Sequence, residues 1–162
     1  IVRDMMDKSA ICGVGPMASV AGAVAQFVGQ DLLELTDSLI IENGGDIYLK
    51  SRNTLTAAIF AGESTLSNKV HLIVKPEQTP LGICTSSATV GPSLSFGRAD
   101  AVCVVAKTAT LADAAASAVG NRVEGRGAIK KCLDFGMTIP GVIGIVIIVG
   151  NDIGAAGDIE LG

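Results

Sequence analysis

The chain has no tryptophan, one tyrosine, four phenylalanines and a single histidine, His71. With aromatics at 3%, a core has to be built from Ala, Val, Ile and Leu. The same scarcity removes the flat side chains on which unpaired bases stack. A net charge of −4 and a pI near 4.9 likewise remove the positive footprint that a nucleic-acid backbone requires, so no nucleic acid is expected as a partner. The longest apolar run, Val142 to Val149, falls far short of the roughly 20 residues that cross a bilayer, and no membrane partner is expected. Cys12, Cys84, Cys103 and Cys132 show no C-x-x-C spacing, and one histidine leaves too few ligands for a structural zinc. Thiols set among apolar neighbours pack as small hydrophobes, the usage of a reducing, cytoplasmic protein. A P-loop is absent, and no nucleophile–base pair stands out, so no catalytic residue is assigned.

What is present is ample apolar material. A chain of 162 residues, 49% hydrophobic with mean hydropathy +0.53, predicts a single domain with a sizeable core. The chain opens at Ile1 without an initiator Met, and Ile1 to Lys8 reads as the interior of something longer, which predicts a preceding N-terminal part. Met17, Val20, Ala21, Val24, Phe27, Val28, Leu32 and Leu35 recur at helical spacing and predict a helix buried on that face, entered through Gly15 and Pro16. Gly22, a cost inside a helix, marks close approach of a neighbouring backbone. Strands are predicted at 38–43, 46–50, 55–61, 70–75, 82–85, 101–106, 142–149 and 159–161, with helices over 111–119 and 127–135. Joining by turns rather than crossover helices predicts an α+β fold, mainly antiparallel. Such edges are compatible with a homo-oligomer.

Four segments could carry chemistry. Gly13-Val14-Gly15-Pro16-Met17-Ala18 matches the dinucleotide pattern G-x-G-x-x-G/A after a short strand at 10–12, with Glu42 near the position of a ribose-binding acid. Hairpins follow instead of βαβ units, so a helix entry with coincidental spacing is the better reading. Glu42-Asn43-Gly44-Gly45-Asp46 reads as a hairpin turn; the same glycines would let a flat ring or diphosphate lie against the backbone, with Asn43 and Asp46 as polar contacts. Thr85 to Ser95 reads either as a solvated loop or as a set of hydroxyls and amides for phosphate. Thr110 and Asp113 have capping-box spacing, while Ser117 lies one turn beyond Asp113 on the same face, where a carboxylate and a hydroxyl could share Mg²⁺.

These segments, in this order, resemble the ApbE-like superfamily. The residues that carry the resemblance are Gly15 to Gly22, Ile41 to Ile47, Gly82 to Ser87, Ala99 to Ala106 and Leu111 to Ala118. Likeness to an uncharacterised prokaryotic branch extends over nearly the whole chain; likeness to the flavin transferases is confined to the motifs. Those transferases cut FAD and attach FMN to a Thr or Ser of a target protein. The resemblance implies a T-fold-like domain that binds FAD or FMN and Mg²⁺, with transfer or hydrolysis of a flavin nucleotide. It implies flavin binding at Gly44, Gly45, Thr85 and Ser86, beside the polar contacts of Asn43 and Asp46 read from the turn itself, and metal at Asp113 and Ser117. Two departures are visible: Ala21-Gly22 stands where transferases have Lys-Gly, and 91–101 holds nothing like their His-Ile-x-Asp-Pro segment. A flavin- or nucleotide-binding module without the reaction, and a structural or partner-binding protein, are the alternative expectations.

Overall fold

The structure, a computed structural model, describes residues 1–91 and 95–162. Part of the Ser- and Thr-rich loop singled out in the sequence, residues 92–94, lies outside the described residues.

Among the described residues, nine strands form two antiparallel sheets. Strands β1 (Leu39–Asn43), β2 (Asp46–Lys50), β5 (Leu81–Ser86), β6 (Ala101–Ala106), β7 (Val142–Val149) and β8 (Asp152–Gly157) make a six-stranded sheet in that order. A smaller sheet holds β3 (Leu55–Ala58), β4 (His71–Val74) and β9 (Glu160–Leu161), ordered β3-β4-β9. Every pairing recorded in either sheet is antiparallel. The helices are α1 (Val2–Cys12), α2 (Val20–Leu32), α3 (Ala109–Gly120) and α4 (Ile129–Gly136).

The large sheet is the middle layer. Side chains alternate across a strand, so its two faces feed two cores. Val102, Val104, Ile145 and Ile147 face the helices, together with Ala112, Ala115 and Val119 of α3. Ala101, Cys103, Val105, Val146 and Ile148 face the other way, onto Leu72 and Val74 of the small sheet. With both faces covered, β6 is buried along its whole length. All four cysteines are buried and free, as the apolar context predicts. No single described helix is long and apolar enough to cross a membrane.

Three expectations are corrected. Residues 10–12 are not a strand: they end α1, which closes on Gly13 in the left-handed region (φ +69°). The β8 strand was not anticipated; Asp-Ile-Gly-Ala-Ala-Gly lacks the branched and aromatic residues that favour strands, and pairing with β7 overrides that weakness. The third correction is the face of α2. Its buried residues are Gly22, Ala23, Ala25, Gln26 and Gly29, whereas Met17, Val24, Val28, Leu32 and Leu35 are exposed. The small face wins because it lets backbones meet. A Cβ at Gly22 would overlap the Ala109 carbonyl, and one at Gly29 would overlap the Tyr48 ring. The close approach expected at Gly22 is therefore present.

Candidate functional site

Two glycines set the depth of α3. Gly82 on β5 lies against the Ala109 backbone, and Gly22 on α2 abuts both the Ala109 carbonyl and Asp113, whose Cβ would lie 2.8 Å from an added one. The first turn of α3 is thus wedged between β5 and α2. Thr108 caps it by accepting the Leu111 N–H at 3.3 Å, which replaces the expected Thr110–Asp113 capping box. Thr110 is buried, and its backbone N–H and hydroxyl both donate to the side-chain Oε1 of Gln26 at 3.1 Å. Asp113 is left to face α2, where its Oδ2 accepts the Gly22 N–H at 2.9 Å. Ser117, one turn on, donates weakly to the Ala18 carbonyl at 3.5 Å.

The β1–β2 hairpin supplies the second component. Asn43 and Asp46 pair across a two-residue turn whose glycines have φ +64° and +98°, positive values that side chains resist. The Gly45 N–H donates to Glu42 Oε1 at 2.9 Å and holds the turn. Nothing lies within 4 Å of where either glycine would carry a Cβ, so the turn presents open backbone. Asn43 points elsewhere: its amide donates to the Ala21 carbonyl at 3.2 Å, tying the hairpin to the start of α2. Asp46 is buried, 8% exposed.

A cleft of about 450 Å³ opens between these parts. Of the sequence-derived candidates, Gly44, Gly45, Asp46, Thr85, Ser86, Asp113 and Ser117 line it together, and Asn43 does not. An apolar wall is added by Ala57 to Phe60, at the end of β3 and just beyond it, which no sequence motif marked, and is continued by Ile83 and Val90. Phe60 is half exposed. Ser87, inside the Thr85–Ser95 segment singled out in the sequence, joins the lining, and its Oγ accepts the Thr89 and Val90 N–H groups.

Among the described residues, the lining contains Glu42, Asp46 and Asp113 and no Lys, Arg or His. Burial pushes the Asp113 carboxyl up to about 7, and the neighbouring Asp46 charge pushes in the same direction against the Gly22 and Ala21 amides. Burial also raises Asp46 to about 6, with Glu42 adding to it and the Cys84 thiol and Thr85 amide opposing. Cys84 and Cys103 are held above the usual thiol range by burial, so neither is primed as a nucleophile. A second cleft has a volume of about 570 Å³. It is lined by residues including Gly13 to Gly15, Met17, Ala18, Ala21, Phe96 and Asn121, and it shares Asp46, Asp113 and Ser117 with the first. Among the described residues, no three His, Cys, Asp or Glu side chains group as a metal cluster. The oxygens present still suit Mg²⁺, which takes one or two carboxylates and completes its shell with water and substrate phosphate.

Comparison with known proteins gives a family. A family model described as AbpE bacteria matches residues 1–153. The UPF0280 protein of Methanococcus aeolicus is 40% identical over 164 residues, covering 98% of this chain and 66% of its own length. That of Methanocella arvoryzae is 41% identical over 158 residues, covering 97% and 64%. The chain therefore spans just under two thirds of these relatives. Among solved structures, the ApbE protein of Thermotoga maritima superposes with TM-score 0.66 at 16% identity, over 86% of this chain and 50% of that one. The apo flavinyl transferase ApbE of Pseudomonas stutzeri gives 0.59 at 18% identity, over 88% and 50%. At such identities these two show a shared fold: an α+β architecture built mainly on antiparallel sheet. With its family model matched over nearly its full length, the chain belongs to this ApbE-like family.

Proposed function

We propose that the first cleft binds a flavin nucleotide, FAD or FMN, with its phosphates beside a divalent cation held by Asp113 and Ser117, and that the bound nucleotide is transferred or hydrolysed. One observation carries the reading: the buried Asp46 and the half-buried Asp113 line one cleft, the Asp46 charge acts on Asp113, and no cationic side chain lines that cleft among the described residues. Anions kept out of water need a counter-charge, and a divalent cation supplies it. The open turn at Gly44 and Gly45 and the Thr85 and Ser86 hydroxyls lie on the polar side of the same cleft. The apolar wall at Ile59, Phe60 and Val90 suits a ring system. When bound, Mg²⁺ would neutralise a diphosphate that no lysine or arginine of the cleft can neutralise.

Cleavage of FAD here would break a bridging P–O bond and release AMP. An acceptor oxygen, from water or from a Ser or Thr hydroxyl, would bond to the flavin-side phosphorus and give its proton to solvent. The flavinyl transferase of Pseudomonas stutzeri, whose fold this chain shares, supports that direction. The test follows flavin fluorescence while FAD is added in Mg²⁺ and then in chelator, with AMP assayed in parallel. Metal-dependent saturation with AMP release is expected. Metal-dependent saturation without AMP would make the protein a binding module, and indifference to FAD in both conditions would sink the reading.

A further inference from the structure

Asp100 sits between two buried alanines, Ala99 and Ala101, and its own N–H donates to the Ile148 carbonyl at 2.9 Å. The backbone there is fixed to the sheet, and it presents a half-buried carboxylate whose two oxygens take different partners. Oδ2 accepts the Gly150 N–H of the two-residue β7–β8 turn at 2.6 Å, and Oδ1 accepts the Thr89 hydroxyl at 3.1 Å. We propose that Asp100 is a positioning residue for the first cleft, holding Val90 and Gly91 in its lining through Thr89. This rests on the flavin-nucleotide reading of that cleft.

The residues so held have no regular element to hold them. Residues 87–91 follow β5 without belonging to a strand or helix, so no ladder fixes Val90 or Gly91. Segments of this kind take their position from links to the rigid parts of the fold. Ser87 Oγ closes the loop on itself, and the Ala88 N–H donates to the Ala99 carbonyl at 2.9 Å. The Thr89–Asp100 bond then ties the turned part of the loop to the sheet. Hydrogen bonds to an ionised acceptor are about twice as strong as neutral ones, and here one carboxylate accepts two.

The same turn reaches the neighbouring stretch of the wall. The Gly150 carbonyl accepts the Ser64 hydroxyl, and Asn151 Oδ1 accepts the Thr65 hydroxyl at 2.7 Å. Ser64 and Thr65 lie in the connection between β3 and β4 that also carries Phe60. The two stretches touch, since a Cβ at Gly62 would stand 2.9 Å from Val90 Cγ2 and 3.4 Å from Thr89 Oγ1. Phe60 and Val90, both in the lining of the cleft, thus belong to segments pinned at one turn. A wall already in place spares a bound ring the cost of ordering it.

The test measures FAD affinity in Mg²⁺ by flavin fluorescence for wild type, Asp100→Ala, Asp100→Asn and Thr89→Val, with folding checked by circular dichroism. Asp100→Ala removes both links, and Thr89→Val removes the loop's link with a side chain of the same shape. Asp100→Asn keeps both, its oxygen accepting the Gly150 N–H and its amide donating to Thr89 Oγ1. Asp100→Ala and Thr89→Val are expected to lose about fivefold or more in FAD affinity, and Asp100→Asn to stay within about twofold of wild type. The rise in unfolding midpoint on adding Mg²⁺ is expected to be the same in all four, which a general loosening of the fold would not allow. Wild-type affinity in Thr89→Val would overturn the proposal by confining Asp100 to the β7–β8 turn. A loss in Asp100→Asn as large as in Asp100→Ala would overturn it by showing that charge matters and placement does not. Amide hydrogen exchange over 87–91 separates the proposal from the function beneath it. Faster exchange there is expected in Asp100→Ala and Thr89→Val, and unchanged exchange would overturn the positioning role. Faster exchange in a protein whose wild type ignores FAD would support the positioning of the loop and overturn the flavin reading alone.

Discussion

Asp113 is an acid held among apolar neighbours by one turn of helix. Its Oδ2 has the Gly22 amide as a partner, and the charge that acts on it is that of another acid, Asp46. Neutral carboxyls are cheaper than ions in such a place, and that fixes a sign. The folded-state values, about 7 for Asp113 and about 6 for Asp46, lie above the ordinary 3.8. Stability from these groups is therefore fully present below about pH 4 and is lost as pH rises through about 6 to 7 in metal-free protein. Thermal unfolding in chelator should show the midpoint falling between pH 5 and 8, by an amount set by on the order of a few kcal/mol. Asp113→Asn should flatten that decline, and added Mg²⁺ should restore wild type at pH 8 while leaving Asp113→Asn unmoved. A midpoint equally pH-dependent in wild type and variant would show that Asp113 is not the strained group.

At the scale of elements, the site depends on where α3 sits, and glycine decides that. Gly22 and Gly82 allow α2 and β5 to close on the Ala109 backbone from two sides. Gly22→Ala would ordinarily favour a helix interior by about 0.5–1 kcal/mol. Here the added methyl meets a carbonyl oxygen and the Asp113 Cβ, so the expected outcome is destabilisation by about 1–3 kcal/mol in a urea titration. Unchanged or raised stability would mean that the two helices are not in that contact. The same packing explains why the sequence misled at α2. A period of apolar residues identifies a helix, and the bulkier stripe is the ordinary choice for its buried face. In this chain Gly22, Ala25 and Gly29 are buried because backbone proximity outweighs side-chain size, and Val24 and Val28 are left in water.

At the scale of the whole molecule, the sheet was the most legible part. Strands β2, β6 and β7 have the bounds that composition and turn signals predict, because β-branched runs end at clear breakers. Helix α1 was not legible: Val-Arg-Asp-Met-Met-Asp-Lys carries too many charges to advertise a core face, and only Met5, Ser9 and Cys12 are buried. Spacing did point to one pairing inside the site, since Asp113 and Ser117 share a face of α3. The meeting of Asp46 with Asp113 was different. They stand 67 residues apart and come together through antiparallel pairing and the wedge under α3, which no local pattern encodes. Family resemblance named Asp113 and the chemistry of the turn named Asp46, and the fold brings the two into one cleft.

The most direct test of the account is a calorimetric titration of FAD into metal-free protein and into protein with saturating Mg²⁺, for wild type and Asp113→Asn. Binding in Mg²⁺ alone for wild type, with a loss of about tenfold or more in the variant, is the expected result. Equal FAD affinity for both proteins in Mg²⁺, with both folded, would contradict a cation site at the carboxylate pair.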